Sequence, residues 1–253
     1  MKHFFNFFLA AVMTAAFCGC SKPTPAKALS RVKDAAVAGN WRDAYNQCSK
    51  LEKSYPENEK VLLMLAVSAE KCGEIDRAID AANRAYELNK TSFAAVYTLG
   101  RLYSNIPHRQ SEALQLLLQA RELSPQDQNV LILICNTAAA TNHKNAISYL
   151  NALSRSNKKL SGTVFNNIST VFAKNGNIDA ARKTFSIAEK VLANDPQVFL
   201  NSARFYDYWV KSPALAVSKY NHFIKLAGKR KEFRAAVTEA STRIKQLKRT
   251  TRR

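Results

Sequence analysis

Residues 70–89 read EKCGEIDRAIDAANRAYELN. One helical segment ends near Gly73, and Ile75, Ala78, Ile79, Ala82 and Ala85 then follow at helical spacing. That spacing puts these five on one face of a helix. The glycine before it marks where the preceding helix ends. The stretch therefore predicts two helices joined by a short turn. The same frame returns in residues 39–56 (GNWRDAYNQCSKLEKSYP), 108–125 (HRQSEALQLLLQARELSP), 143–156 (HKNAISYLNALSRS), 176–192 (GNIDAARKTFSIAEKVL) and 212–228 (SPALAVSKYNHFIKLAG).

Superimposing these segments brings Ala44, Ala78, Ala113, Ala146, Ala181 and Ala216 into one column, at spacings of 34, 35, 33, 35 and 35 residues. A period of that length is the mark of stacked helical hairpins, each burying its apolar face on the next. The alanine column is where two helices of a hairpin approach closely enough to admit only a small side chain. Four residues later stand Cys48, Ala82, Leu117, Leu150, Phe185 and Tyr220, on the same helical face. In the preceding helix the matching small column is Ala66, Gly100, Cys135, Ser169 and Ala203. Three residues beyond it stand Ala69, Tyr103, Ala138, Phe172 and Tyr206.

These columns resemble the tetratricopeptide repeat. Its pattern has a small residue at the eighth position, an aromatic one at the eleventh, alanine at the twentieth and proline at the thirty-second. Pro56 and Pro125 fill the last position, which Lys90 and Lys158 take elsewhere. Leu62, Val96, Leu131 and Phe165 stand at the fourth position, where the family usually has tryptophan. Repeats three and six carry one extra residue in their turns. The resemblance implies an all-α, right-handed superhelical solenoid of about six repeats over residues 26–227. Residues 228–253 come after them as a capping helix and basic tail, with Phe233, Val237, Ala240, Ile244 and Leu247 at helical spacing.

Composition agrees with helices: Gly and Pro number seven each in 253 residues, and both are poor helix formers. The chain carries 38 Lys and Arg against 19 Asp and Glu, a formal +19, so it is drawn to anions. Which anion it meets depends on its compartment. Met1-Lys2-His3 is followed by FFNFFLAAVMTAAF, residues 4–17. A spanning helix needs about 20 apolar residues, so this run has the length of a signal-peptide core. FCGC at 17–20 resembles a bacterial lipoprotein signal, with Gly19 as the small residue before a lipidated Cys20.

On that reading residues 1–19 are the signal, and residues 20–25 are the lipidated cysteine and its linker. An ordinary signal-peptidase site at Thr14-Ala15-Ala16 and an uncleaved anchor are the alternatives. The resemblance implies three acyl chains on Cys20. At about 0.8 kcal/mol per buried CH₂, two or three chains anchor stably. By resemblance to enterobacterial lipoproteins, Ser21 after the cysteine implies the outer membrane, facing the periplasm.

No residue pattern here supports catalysis. His3, His108, His143 and His222 show no ligand-like pairing, and no nucleophile elbow, zinc-protease helix or phosphate-binding loop occurs. Neither a metal nor a cofactor is expected. Cys48, Cys72 and Cys135 are expected to be small core residues rather than a disulfide framework, with one bridge left open.

Partners of this family usually bind in the concave groove lined by the first helix of each repeat. Carrying the groove positions over gives Lys60 and Leu63 in repeat two, then Tyr97 and Arg101 in repeat three. Asn136 comes next in repeat four, Asn166 and Lys174 in repeat five, and Arg204 and Asp207 in repeat six. The alternative for each is an ordinary solvated helix surface. Residues 229–253 hold ten Lys and Arg against two Glu. Lys245, Lys248, Arg249, Arg252 and Arg253 make this a basic tail suited to anionic lipid or glycan, and nucleic acid is not an expected partner outside the cytoplasm. The leading expectation is a membrane-anchored interaction scaffold of the bacterial envelope that binds a protein or peptide partner. Its repeats, anchor and length resemble the type IV pilus pilotin lipoproteins, which implies a role in secretion, pilus or envelope assembly. The alternative is a surface-binding module that acts through the tail.

Overall fold

A computed structural model describes residues 24–250. The signal segment, Cys20, Arg252 and Arg253 lie outside the described residues. Among the described residues there are thirteen α-helices and no strand. They run as six hairpins: α1 (Pro25–Val37) with α2 (Trp41–Ser54), α3 (Glu59–Lys71) with α4 (Ile75–Leu88), and α5 (Phe93–Ser104) with α6 (Gln110–Leu123). Then come α7 (Gln128–Ala140) with α8 (Ala146–Ser156), α9 (Lys158–Lys174) with α10 (Ile178–Val191), and α11 (Pro196–Arg204) with α12 (Pro213–Ala227). A last helix, α13 (Arg234–Thr250), closes the array.

Local chemistry sets the helix starts and stops. From the second hairpin on, each first helix is capped by a short polar side chain that accepts from a backbone N–H of the first turn. The caps are Asn58, Ser92, Asp127, Asn157 and Asp195. Inside four hairpins the turn closes in one way. The residue after the αL position donates its N–H back five residues, as in Glu74 to Ala69 at 2.9 Å and Asn177 to Phe172 at 2.8 Å. Gly73 holds that αL position with φ of 82°, where a Cβ would be strained. In the fourth hairpin Asn142 takes it at φ 50°, as a short polar side chain can.

The small columns lie where the spacing placed them. The six alanines of the second helices are buried, as are Ala66, Gly100, Cys135, Ser169 and Ala203 facing them. Gly100 is the tightest of these. A Cβ there would meet Leu116 Cβ at 3.1 Å and Leu117 Cγ at 3.2 Å. Cys48, Cys72 and Cys135 are free thiols. Burial pushes Cys48 up to about 11 and Cys135 up to about 12, so both act as neutral core residues.

The odd-numbered helices α1 to α11 each pack on the next odd helix, and the even ones make no comparable contact with one another. The stack therefore curves towards the odd helices, which form its inner face. On the outer side, long charged side chains span the wider gap. Arg77 and Arg84 of α4 both hold Glu52 of α2, and Lys219 of α12 holds Glu189 of α10 at 2.5 Å. At the end of the array Ala240, Ile244 and Leu247 of α13 join Ala216, Tyr220, Phe223 and Ala227 of α12 in one core cluster. The cap thus covers the apolar face that a seventh repeat would have buried.

The two turns with an extra residue depart from the common form. In repeat three the insertion becomes a 3₁₀ turn at Pro107–Arg109. In repeat six α11 runs into a π-helical turn, Phe205–Trp209, closed by Val210 N–H to Phe205 at 3.1 Å. Such a turn absorbs one residue without breaking the helix. It also rotates the chain at its far end, so Tyr208 and Trp209 emerge 51% and 37% exposed.

Candidate functional site

The inner face is built from residues seven apart on the odd helices, which two helical turns bring to one side. In the first half this face is charged and apolar: Lys60 and Val67 on α3, then Ala94 and Arg101 on α5. In the second half it becomes a row of amides and hydroxyls. Asn129 and Asn136 stand on α7, Thr163 and Thr170 on α9, and Gln197 with Arg204 on α11. Of these six, Thr170 and Arg204 are half-buried and the others exposed. Asn and Gln offer both donors and acceptors, and Thr a hydroxyl that does either.

The positions carried over from the family pattern fall into two groups. Lys60, Asn136 and Lys174 are exposed on the inner helices. Leu63 is half-buried against Leu62, Ala85 and Ala95. Tyr97 is half-buried too, stacked on Phe93 with centroids 5.6 Å apart, and burial pushes its phenol above the usual range. These five keep some or all of their surface open on the inner helices.

The other four already serve neighbouring repeats. Arg101 donates through both terminal nitrogens to the two Glu70 oxygens, each at 2.6 Å, bridging α5 to α3. Arg204 of α11 donates to Glu239 of α13 at 3.0 and 3.2 Å. Asn166 is buried and accepts from Asn201 at 3.3 Å. Asp207 has its side chain only 1% exposed, held by Arg243 at 2.8 and 2.9 Å and by the Tyr220 hydroxyl at 3.2 Å. Asn166 and Asp207 are thus corrected from groove residues: both are buried, Asn166 linking repeats five and six and Asp207 linking repeat six to the cap helix. Of the basic tail, Lys245, Lys248 and Arg249 are exposed along α13.

One feature of the inner face was not read from the sequence. Between α9 and α11 lies a cavity of 130 Å³, lined by Thr170, Ala173, Asn201, Arg204 and Trp209 over a floor of Phe185 and Phe205. Its aromatic wall exists because the π-turn brings Trp209 round. The 13-residue step from Ala203 to Ala216, one longer than that from Ser169 to Ala181, with Trp209 inside it, was the signal available.

No family model matches the chain, and no curated protein sequence matches it. Solved structures match its fold. The C-terminal part of a TPR repeat-containing protein from Cytophaga hutchinsonii aligns with a TM-score of 0.66 at 18% identity, covering 88% of both chains. PilW, described as a widely conserved type IV pilus biogenesis factor, aligns at 0.61 and 14% identity, over 83% of this chain and 96% of that one. YrrB, a TPR protein with an unusual peptide-binding site, aligns at 0.53 and 17% identity, over 77% and 97%. The chain has the tetratricopeptide-repeat fold, an all-α solenoid.

Proposed function

We propose that this chain is a non-catalytic interaction scaffold of the bacterial envelope, anchored by lipid at Cys20, that holds a protein or peptide partner against its inner face. The observation that carries this reading is the exposed row Asn129, Asn136, Thr163 and Gln197, which presents hydrogen-bonding groups at repeat intervals on one curved surface. An extended main chain needs such donors and acceptors along its length. The FCGC stretch supports the anchor, and its Ser21 supports the outer membrane, facing the periplasm. The likeness of fold to PilW supports a role in pilus or secretion assembly.

A photo-cross-linking residue at Asn136 on the inner face, compared with one at Lys183 on the outer α10, tests the scaffold. A partner captured at Asn136 and not at Lys183 supports it, and equal capture at both overturns it. The anchor has its own test: Cys20→Ala moves the protein from the membrane fraction to the soluble one, and retention in the membrane refutes lipidation at this residue.

A second reading has one observation in its favour. Lys245, Lys248 and Arg249 stand exposed along α13 without an acidic partner among the described residues. Each adds about 1 kcal/mol near an anionic lipid or glycan surface, and salt removes it. On this reading, charge-neutral substitutions of the three abolish association while the inner face is untouched.

A further inference from the structure

We infer that the second half of the inner face takes an extended acidic segment of a partner protein and seats one of its apolar side chains in the cavity beside Trp209. This rests on the scaffold reading above and narrows it to one end of the groove and one chemistry.

Three independent observations converge on that end. The first is the cavity itself. Its 130 Å³ is close to the roughly 150 Å³ that admits a benzene ring, and its walls are the exposed indole of Trp209 with Thr170, Ala173, Asn201 and Arg204, over the rings of Phe185 and Phe205. A half-exposed tryptophan beside an apolar hollow is the kind of group that dominates binding when a partner side chain covers it.

The second observation is the inner row. In the first of the two inner columns, Lys60 and Ala94 give way in repeats four to six to three successive uncharged polar residues, Asn129, Thr163 and Gln197. Groups of this type recognise a peptide backbone rather than a particular side chain.

Charge is the third. Residues 24–127 hold 14 Lys and Arg against 13 Asp and Glu, whereas residues 128–253 hold 22 against 6. Between Asp127 and Asp179 there is no acidic residue at all. At the groove end itself, Asp207 and Glu239 are taken up by Arg243 and Arg204. Lys174 comes directly after the cavity wall at Ala173, Lys211 lies two residues beyond Trp209, and both are exposed. This field attracts a negatively charged segment and repels a basic one.

The test uses the mature chain carrying Trp41→Phe, which leaves Trp209 as its sole tryptophan. The probes are two short synthetic peptides of Ser, Leu and a charged residue, Glu in one and Lys in the other. The Glu peptide is expected to shift Trp209 emission saturably, more weakly as salt rises, and the Lys peptide to leave it unchanged. Thr170→Phe fills the cavity from the opposite wall, keeping Trp209 and the core, and should weaken the Glu peptide at least about tenfold, as loss of an aromatic anchor does. Trp209→Ala, followed by calorimetry, should do the same.

Equal response to both peptides, or unchanged affinity in both variants, overturns the inference. A native partner cross-linked at Asn136 but indifferent to Thr170→Phe and to salt also overturns it, and leaves the scaffold reading standing. A full peptide response without any native cross-link at Asn136 supports the site and counts against the scaffold.

Discussion

Replacing Arg243 by alanine is expected to destabilise the array by about 3 kcal/mol, because it strands a buried carboxylate. Asp207 keeps only 1% of its side chain in contact with water, whereas Arg243 keeps 35%. The asymmetry decides the sign of the comparison. With Arg243 gone, Asp207 keeps one hydrogen bond, from the Tyr220 hydroxyl at 3.2 Å, and loses the two that Arg243 donated. With Asp207 gone instead, the guanidinium of Arg243 turns out to solvent and stacks on Tyr208, whose ring it already faces at 5.8 Å. Asp207→Ala should therefore cost less than Arg243→Ala.

Urea denaturation of both variants checks the order, since a lower midpoint at constant slope reports stability alone. Equal losses would mean that water already enters around Asp207. A change in slope would mean that the cap helix has detached and left the α12 face bare. The same pair ties the π-turn to α13, so weakening it also loosens the wall on which Trp209 stands.

This link shows where reading the sequence ran out. The alanine column, its small partners on the first helices and the capping helix were all legible, because each repeats an environment and the period averages out local accident. The N-terminal caps were legible in kind, since Asn58, Ser92, Asp127, Asn157 and Asp195 each precede an apolar helix. The fate of Asp207 was not. Its place in the repeat matches that of Glu70, whose side chain keeps 16% exposure and pairs with Arg101 of the next repeat. What buries Asp207 is Arg243, thirty-six residues away on a helix outside the repeat pattern. Asn166 was missed for a related reason: its partner Asn201 lies in the next repeat, and amide-to-amide pairing leaves no periodic trace. The cavity arose from an insertion, and an insertion tells where the pattern breaks without telling how the backbone absorbs it.

The fourth-position column gives the second large effect. Leu62, Val96, Leu131, Phe165 and Phe199 occupy it and all are buried, so aliphatic and phenyl groups do the packing that tryptophan does in the family pattern. Phe165→Ala should cost about 3 to 5 kcal/mol, the sum of lost transfer energy and the cavity left behind. Val96→Ala, which removes only two methyl groups, should cost about 2 kcal/mol. Phe165 shares its core cluster with Leu131 of repeat four, Phe185 of its own repeat and Val198 and Phe205 of repeat six.

Because each repeat touches only its neighbours, an array behaves as a line of coupled units, and one weak unit can uncouple the two sides. Phe165→Ala is thus expected to turn a single unfolding transition into two, with repeats five and six and the cap melting before repeats one to four. Near-ultraviolet circular dichroism of the lone Trp209 in the Trp41→Phe background tracks the early step, and far-ultraviolet signal tracks the whole. Coincident transitions at a lower midpoint would show instead that coupling between repeats exceeds the roughly 3 to 5 kcal/mol removed. In that case the groove behaves as one rigid surface, and a partner seated at repeats four to six would stabilise the first repeats as strongly as the last.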